Sequence, residues 1–132
     1  MKEYFVYWVK HEIYFRYFYK SDILYRFFLS SQMEKTAYVQ EQLDYITNDF
    51  PPNASLQQAF HQDENVHIEA DQHCLRVTCD SLTTAEETIF SELRHFDSSF
   101  FIIEPAANNC GWIAPIIKND LQSRVHLLYS SF

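Results

Sequence analysis

Glu3-Tyr4-Phe5-Val6-Tyr7-Trp8-Val9-Lys10 is the stretch whose reading decides the fold. Its centre is aromatic and β-branched with no polar alternation, the pattern of a strand buried on both faces. Tyr4, Val6 and Trp8 point one way along such a strand, and Phe5, Tyr7 and Val9 point the other. From about His11 to Leu29 the spacing turns helical. Twelve of the chain's 23 aromatic residues lie within the first 28 positions. At about 100° per residue, Tyr14, Phe18, Tyr25, Phe28 and Leu29 share one face of that helix. Ile13, Tyr17 and Leu24 flank the stripe, and Phe15, Tyr19 and Ile23 lie on the far side. Only Arg16, Lys20, Asp22 and Arg26 give it a wet surface.

Working outward, a second helix is expected over about Gln32 to Thr47, with Tyr38, Leu43, Tyr45 and Ile46 as its apolar members. Pro51-Pro52 stops it, because proline offers no helical N–H donor. Ser55 is expected to cap a short helix through Phe60. A hairpin follows. Val66, Ile68 and Ala70 alternate with His67 and Glu69, and Leu75, Val77 and Cys79 alternate with Arg76 and Thr78, around a two-residue turn at Asp71-Gln72. Thr83 and Thr84, each three residues before a Glu, open a third helix whose stripe is Ala85, Ile89, Leu93 and Phe96. Strands over Ser99 to Ile103 and Gly111 to Ile117 close the series, separated by a loop from Pro105 to Cys110. This order predicts an α+β, two-layer single domain spanning 1–132. Its mainly antiparallel sheet has four to five strands, and three to four helices cover one face.

Composition narrows the function. A chain of 132 residues with 47% hydrophobic and 21% charged side chains is expected to be ordered and able to form a core without disulfides or metal. The net charge of −8 opposes direct nucleic-acid binding, whose affinity comes from clustered Lys and Arg. No run reaches the roughly 18 apolar residues of a membrane span. Three cysteines without framework spacing fit a reducing, cytoplasmic compartment, where the Asn53-Ala54-Ser55 sequon is an accident. A single glycine, Gly111, excludes a P-loop or a dinucleotide fingerprint.

Chemistry is scarce. His67, His73, Cys74 and Cys79 crowd the hairpin but lack zinc-ligand spacing, and the hairpin register separates Cys74 from Cys79, so no metal or other cofactor is expected. No serine has nucleophile-elbow glycines. Cys110 beside Gly111 resembles a loop nucleophile only superficially, and Glu86 and Glu87 read as helix-opening carboxylates. No catalytic residue is assigned, and the chain is not expected to be an enzyme. The aromatic helix is different. If Ile13, Tyr17 and Leu24 stay in water, they form a patch on the order of a few hundred Å², near the upper end of what monomers expose. A partner surface is therefore favoured over core alone. A small-molecule pocket on the sheet and a homodimer are the alternatives.

Four segments then fall into a recognisable order. Tyr4-x-x-Tyr7-x-Val9-Lys10-x-Glu12 leads into Tyr17-Phe18. Gln42-Leu43-x-Tyr45-Ile46-Thr47 and Glu87-Thr88-Ile89-Phe90-x-Glu92 follow, and Gly111-Trp112-x-x-Pro115-Ile116 closes the set. Each is weak alone, but collinear over residues 4–117 they resemble the sporulation inhibitor of replication (SirA) family of endospore-forming bacteria. The resemblance implies a small non-enzymatic protein, monomeric when free, that binds N-terminal domain I of the replication initiator DnaA and holds back new rounds of replication. It also implies a contact surface on the first helix and the glutamine of the second segment. Tyr17 and Gln42 match that pattern. Position 13 is Ile where the family pattern has Phe, and Ile13 joins Tyr17 as an i,i+4 anchor. The region between the first two helices is shorter here, and the tail 118–132 matches nothing in the pattern.

Overall fold

The computed structural model describes residues 1–51 and 65–114. The short helix expected after Ser55, the sequon, Pro115-Ile116 and the tail 118–132 lie outside those residues. Strand β1 (Lys2–Trp8) leads into α1 (His11–Tyr17), α2 (Ser21–Met33) and α3 (Ala37–Ile46). The hairpin β2 (Val66–Ala70) and β3 (Leu75–Cys79) comes next. A helical stretch over 82–96 comprises α4 (Leu82–Ala85), a π-helical turn (Glu86–Phe90) and α5 (Ser91–Phe96). Finally β4 (Phe100–Glu104) turns through a 3-10 segment (Pro105–Ala107) into β5 (Asn109–Trp112). Asn108, at φ 52°, takes the left-handed conformation that asparagine tolerates better than most residues, and this closes the β4–β5 turn.

The five strands form one sheet in the order β2-β3-β1-β4-β5, and every neighbouring pair is antiparallel. The α+β class, the antiparallel sheet and its strand number are as expected. The most apolar strand takes the central position. β1 pairs with β3 on one side, Tyr4 opposite Val77, and with β4 on the other, Val6 opposite Ile102. Its two faces then separate the core in two. Tyr4 and Val6 join Leu75, Val77, Ala85, Ile89, Phe90 and Leu93 under the 82–96 segment. Tyr7 and Val9 join Ile13, Tyr14, Leu24, Phe28, Leu43 and Trp112 under α1, α2 and α3. The helical cover, expected on one face, is thus divided between both.

Several local readings shift for physical reasons. The long first helix is broken at Phe18-Tyr19-Lys20, where the Lys20 N–H bonds back to the Tyr17 carbonyl at 2.8 Å. Trp112 fixes that break. Its indole Nε1–H donates to the Phe18 carbonyl at 3.0 Å, one of the acceptors a helix end leaves unpaired. Its ring meets Tyr14 edge-on, with centroids 4.8 Å apart. α3 starts at Thr36, not near Gln32, because the Thr36 hydroxyl accepts the Val39 N–H. Similarly, Ser81 caps α4 in place of Thr83 or Thr84, accepting the Thr84 N–H. The π turn widens the helix so that adjacent Ile89 and Phe90 both reach the core, while Phe96 is left 69% exposed. The hairpin turn holds four residues instead of two, since Ala70 pairs with Leu75. Asp71 closes it by accepting the N–H groups of His73 and Cys74, both at 2.9 Å.

Phe28 is fully buried and stacks on Tyr7 with centroids 3.9 Å apart. Phe28→Ala should therefore cost about 3–5 kcal/mol of unfolding free energy, read by urea denaturation. A cost below about 1 kcal/mol would show that this face of the sheet is not a packed core.

Candidate partner-binding surface

The three residues singled out from the sequence receive three different environments. Ile13 is 4% exposed, sealed in the cluster beneath α1. The expectation that it lies open as an anchor is overturned, because β1 is central and its second face needs exactly this kind of side chain as cover. Tyr17, one turn further on, sits half-buried at the rim of the same cluster. The Lys20 ammonium stands over its ring, 5.6 Å from the centroid. Gln42 is half-buried on α3. Tyr17 and Gln42 therefore lie on two helices packed over one sheet face.

The break after α1 also re-aims the rest of the aromatic run. Leu24 and Phe28 become the buried positions of α2, four apart. Phe15, on the α1 stripe that carries Glu12 and Arg16, is 74% exposed, and Tyr19, in the break, is 89% exposed. On α3, Tyr38 and Tyr45 are exposed as well. The spacing 38, 42, 45 places Gln42 between two open tyrosines on one helical stripe. The sequence reading counted these tyrosines as apolar members of the helix. The signal it lacked was the buried set: Leu43 is the buried residue of α3, with Val39 and Ile46 packed beside it, so the stripe about 100° round the helix leaves Gln42 half-buried and its two tyrosines open to water.

Polar contacts hold α1 in place. Lys10, just before the helix, donates its N–H to the Ile46 carbonyl at 2.8 Å and its ammonium to the Asp44 carbonyl at 2.9 Å. At the same end, Asp97 accepts the Trp8 indole N–H at 3.0 Å and lies 2.9 Å from His11 Nε2. Burial alone would raise the Asp97 carboxyl, but the hydrogen bonds from Trp8, His11 and the Ser98 N–H hold it below its ordinary value.

A groove of about 590 Å³ runs between α2, α3 and the hairpin, lined in part by Tyr7, Gln32, Lys35, Gln72, Cys74 and Arg76. Its volume is in the range of small-molecule sites. Its chemistry is quiet. The Tyr7 hydroxyl accepts the Gln32 amide at 2.9 Å, and burial pushes the Cys74 thiol up to about 12. Burial likewise pushes Cys110 up to about 11, so neither sulfur is the thiolate that nucleophilic attack needs. Cys79 packs on the opposite side of the sheet from Cys74, as the hairpin register predicts.

This is a small α+β domain whose helices carry tyrosine and phenylalanine into solvent. The chain belongs to the family described as sporulation inhibitor of replication protein SirA, whose family model matches residues 2–72 and 53–117. That description supplies the coarse role, inhibition of replication in sporulation. No curated protein matches the chain. Among the described residues no helix is long and apolar enough to cross a membrane.

Two outcomes check this geometry. Ile13→Ala should lower stability by about 2–5 kcal/mol, whereas Phe15→Ala on the same helix should change it by no more than about 0.5 kcal/mol. Equal effects in denaturant titrations would contradict the assigned orientation of α1. For Asp97, a lowered carboxyl contributes stability that is present above the unfolded-state value and lost as pH falls through the folded one. Asp97→Asn should thus destabilise at neutral pH, and its deficit against the wild type should close as pH drops below about 4. A deficit independent of pH would remove the charge from the explanation.

Proposed function

We propose that the chain inhibits replication by binding the N-terminal domain I of the initiator DnaA, and that its contact surface lies on α1 and α3 with Tyr17 and Gln42 inside it. The observation that carries this reading is the α3 stripe, Tyr38–Gln42–Tyr45, where an amide stands between two tyrosines open to water. Tyrosine presents a large rigid ring with a polar tip, so it tolerates solvent in the free protein and anchors a contact when covered. The Gln42 amide can then pair with partner backbone, fixing register where the rings supply area.

Family membership supports the role in sporulation, and the resemblance in the α1 and α3 segments supports the choice of partner. Ile13 serves this surface from beneath: its burial fixes the helix that presents Phe15 and Tyr17. Inhibition then needs no chemistry. Domain I is a surface for helicase-loading and self-assembly contacts, so occupying it is sufficient.

Tyr17→Ala and Gln42→Ala should each weaken binding to purified DnaA domain I, Tyr17→Ala by about 2 kcal/mol or more, roughly a thirtyfold rise in Kd. Phe96→Ala serves as the control, since Phe96 is exposed but packs edge-on against Trp8, on the side of the sheet away from α1 and α3. Unchanged affinity in both test variants, with circular dichroism showing an intact fold, would reject this surface.

A further inference from the structure

A second constellation lies where the end of α3 meets the hairpin turn. His73 is 5% exposed, and its ring is held from one side. The Thr47 hydroxyl donates to the Leu43 carbonyl at 2.7 Å, so its oxygen is left to accept from the ring nitrogen 3.1 Å away, His73 Nδ1. Nδ1 therefore carries a proton, and in the neutral imidazole the other nitrogen, Nε2, presents its lone pair. Nε2 is buried and makes no hydrogen bond. It comes within 3.0 Å of Asp44 Oδ1, at an angle that forms none. A carboxylate of Asp49 completes the group, with the three ligand atoms all within 4.8 Å of one another.

A buried imidazole lone pair beside a carboxylate oxygen is unfavourable unless a cation, a proton on Nε2 or a metal ion, lies between them. The side-on approach fits a metal ion in particular. Two atoms bound to one ion at about 2.0–2.2 Å stand roughly 3 Å apart without pointing at each other. A pre-oriented imidazole whose second nitrogen is hydrogen-bonded is the usual form of a metal-ligating histidine. The Gln72 amide donates to both Asp49 oxygens, at 3.3 and 3.4 Å, and gives that carboxylate its own support. A cavity of about 420 Å³ lined by Lys10, Asp44, Thr47, Asn48, Asp49 and Gln72 opens on the two carboxylates, while His73 lines the neighbouring groove. The one competing cation of that lining, the Lys10 ammonium, is bonded to the Asp44 backbone carbonyl.

We propose that His73, Asp44 and Asp49 form a binding site for a divalent first-row transition-metal ion, with water completing the coordination. An imidazole with two carboxylates suits Zn²⁺ and its neighbours, whereas Mg²⁺ and Ca²⁺ prefer oxygen alone. The bound ion ties the hairpin turn to the C-terminal end of the helix that carries Gln42. This site stands independently of the partner-binding reading.

The experiment is calorimetric titration of the reduced, metal-free chain with Zn²⁺, with Mg²⁺ titrated in parallel. The expected result is saturable uptake of one Zn²⁺ per chain, a rise in Tm on binding, and no comparable uptake of Mg²⁺. Asp44 and Asp49 are exposed, so Asp44→Asn and Asp49→Asn should fold normally. Each should weaken Zn²⁺ by more than the roughly tenfold that loss of a supporting residue costs. Three results overturn the site: no saturable uptake, uptake of Mg²⁺ as tight as Zn²⁺, or Zn²⁺ uptake weakened less than tenfold in both variants. The last of these assigns the metal to thiols or to surface histidines such as His67.

Discussion

Everything in this domain depends on the position of one strand with two oily faces. β1 has no side chosen for water between Tyr4 and Val9, so only the centre of a sheet with cover above and below can shelter it. β3 and β4 pair with it on either side, and two sets of helices supply the cover. The aromatic excess of the first helices follows from that demand. Tyr14, Phe28 and Trp112 fill a second core layer that a one-sided sheet would not have. A charge introduced anywhere along Val6 to Val9 would confront low-dielectric packing on one face or the other.

The same constraint separates what was legible in the sequence from what was not. The alternation of Tyr4, Val6 and Trp8 against Phe5, Tyr7 and Val9 reappears as two core clusters, because side-chain direction in a strand is fixed by a period of two. The hairpin faces were readable for the same reason. Helical phase was less secure. A projection at 100° per residue fails across a break, and the break after Tyr17 is made by Phe18 and a tryptophan 94 residues away. The resulting error falls on Ile13 and Leu24, both placed on the open flank and both buried. Caps were misplaced by a few residues where several hydroxyl residues competed, as at Ser81, Thr83 and Thr84.

The candidate surface was legible through resemblance more than through pattern. Tyr17 and Gln42 came from matched segments, whereas the exposure of Tyr38 and Tyr45 appears only once Leu43 is known to be the buried position of α3. The His73 constellation was invisible for another reason. Its ligands are drawn from positions 44, 49 and 73, and no fixed spacing links a helix end to a hairpin turn. The metal reading considered from sequence grouped His73 with Cys74, its neighbour in the chain. In the fold both residues line the groove beside the hairpin, but the acidic partners of His73 come from α3 and the segment after it.

Sheet order also sets a schedule. β1 is made first, yet its partners are β3 and β4, and Phe5 finds its place opposite Ile103 only after nearly the whole described chain exists. Until then the nascent polypeptide carries its greasiest segment without a sheet to join. Long loops must close before those contacts reward the closure, which slows acquisition of the native state and leaves time for sticking to other chains. A cell making this protein quickly would feel that delay, and chaperone demand on the ribosome is where it would register.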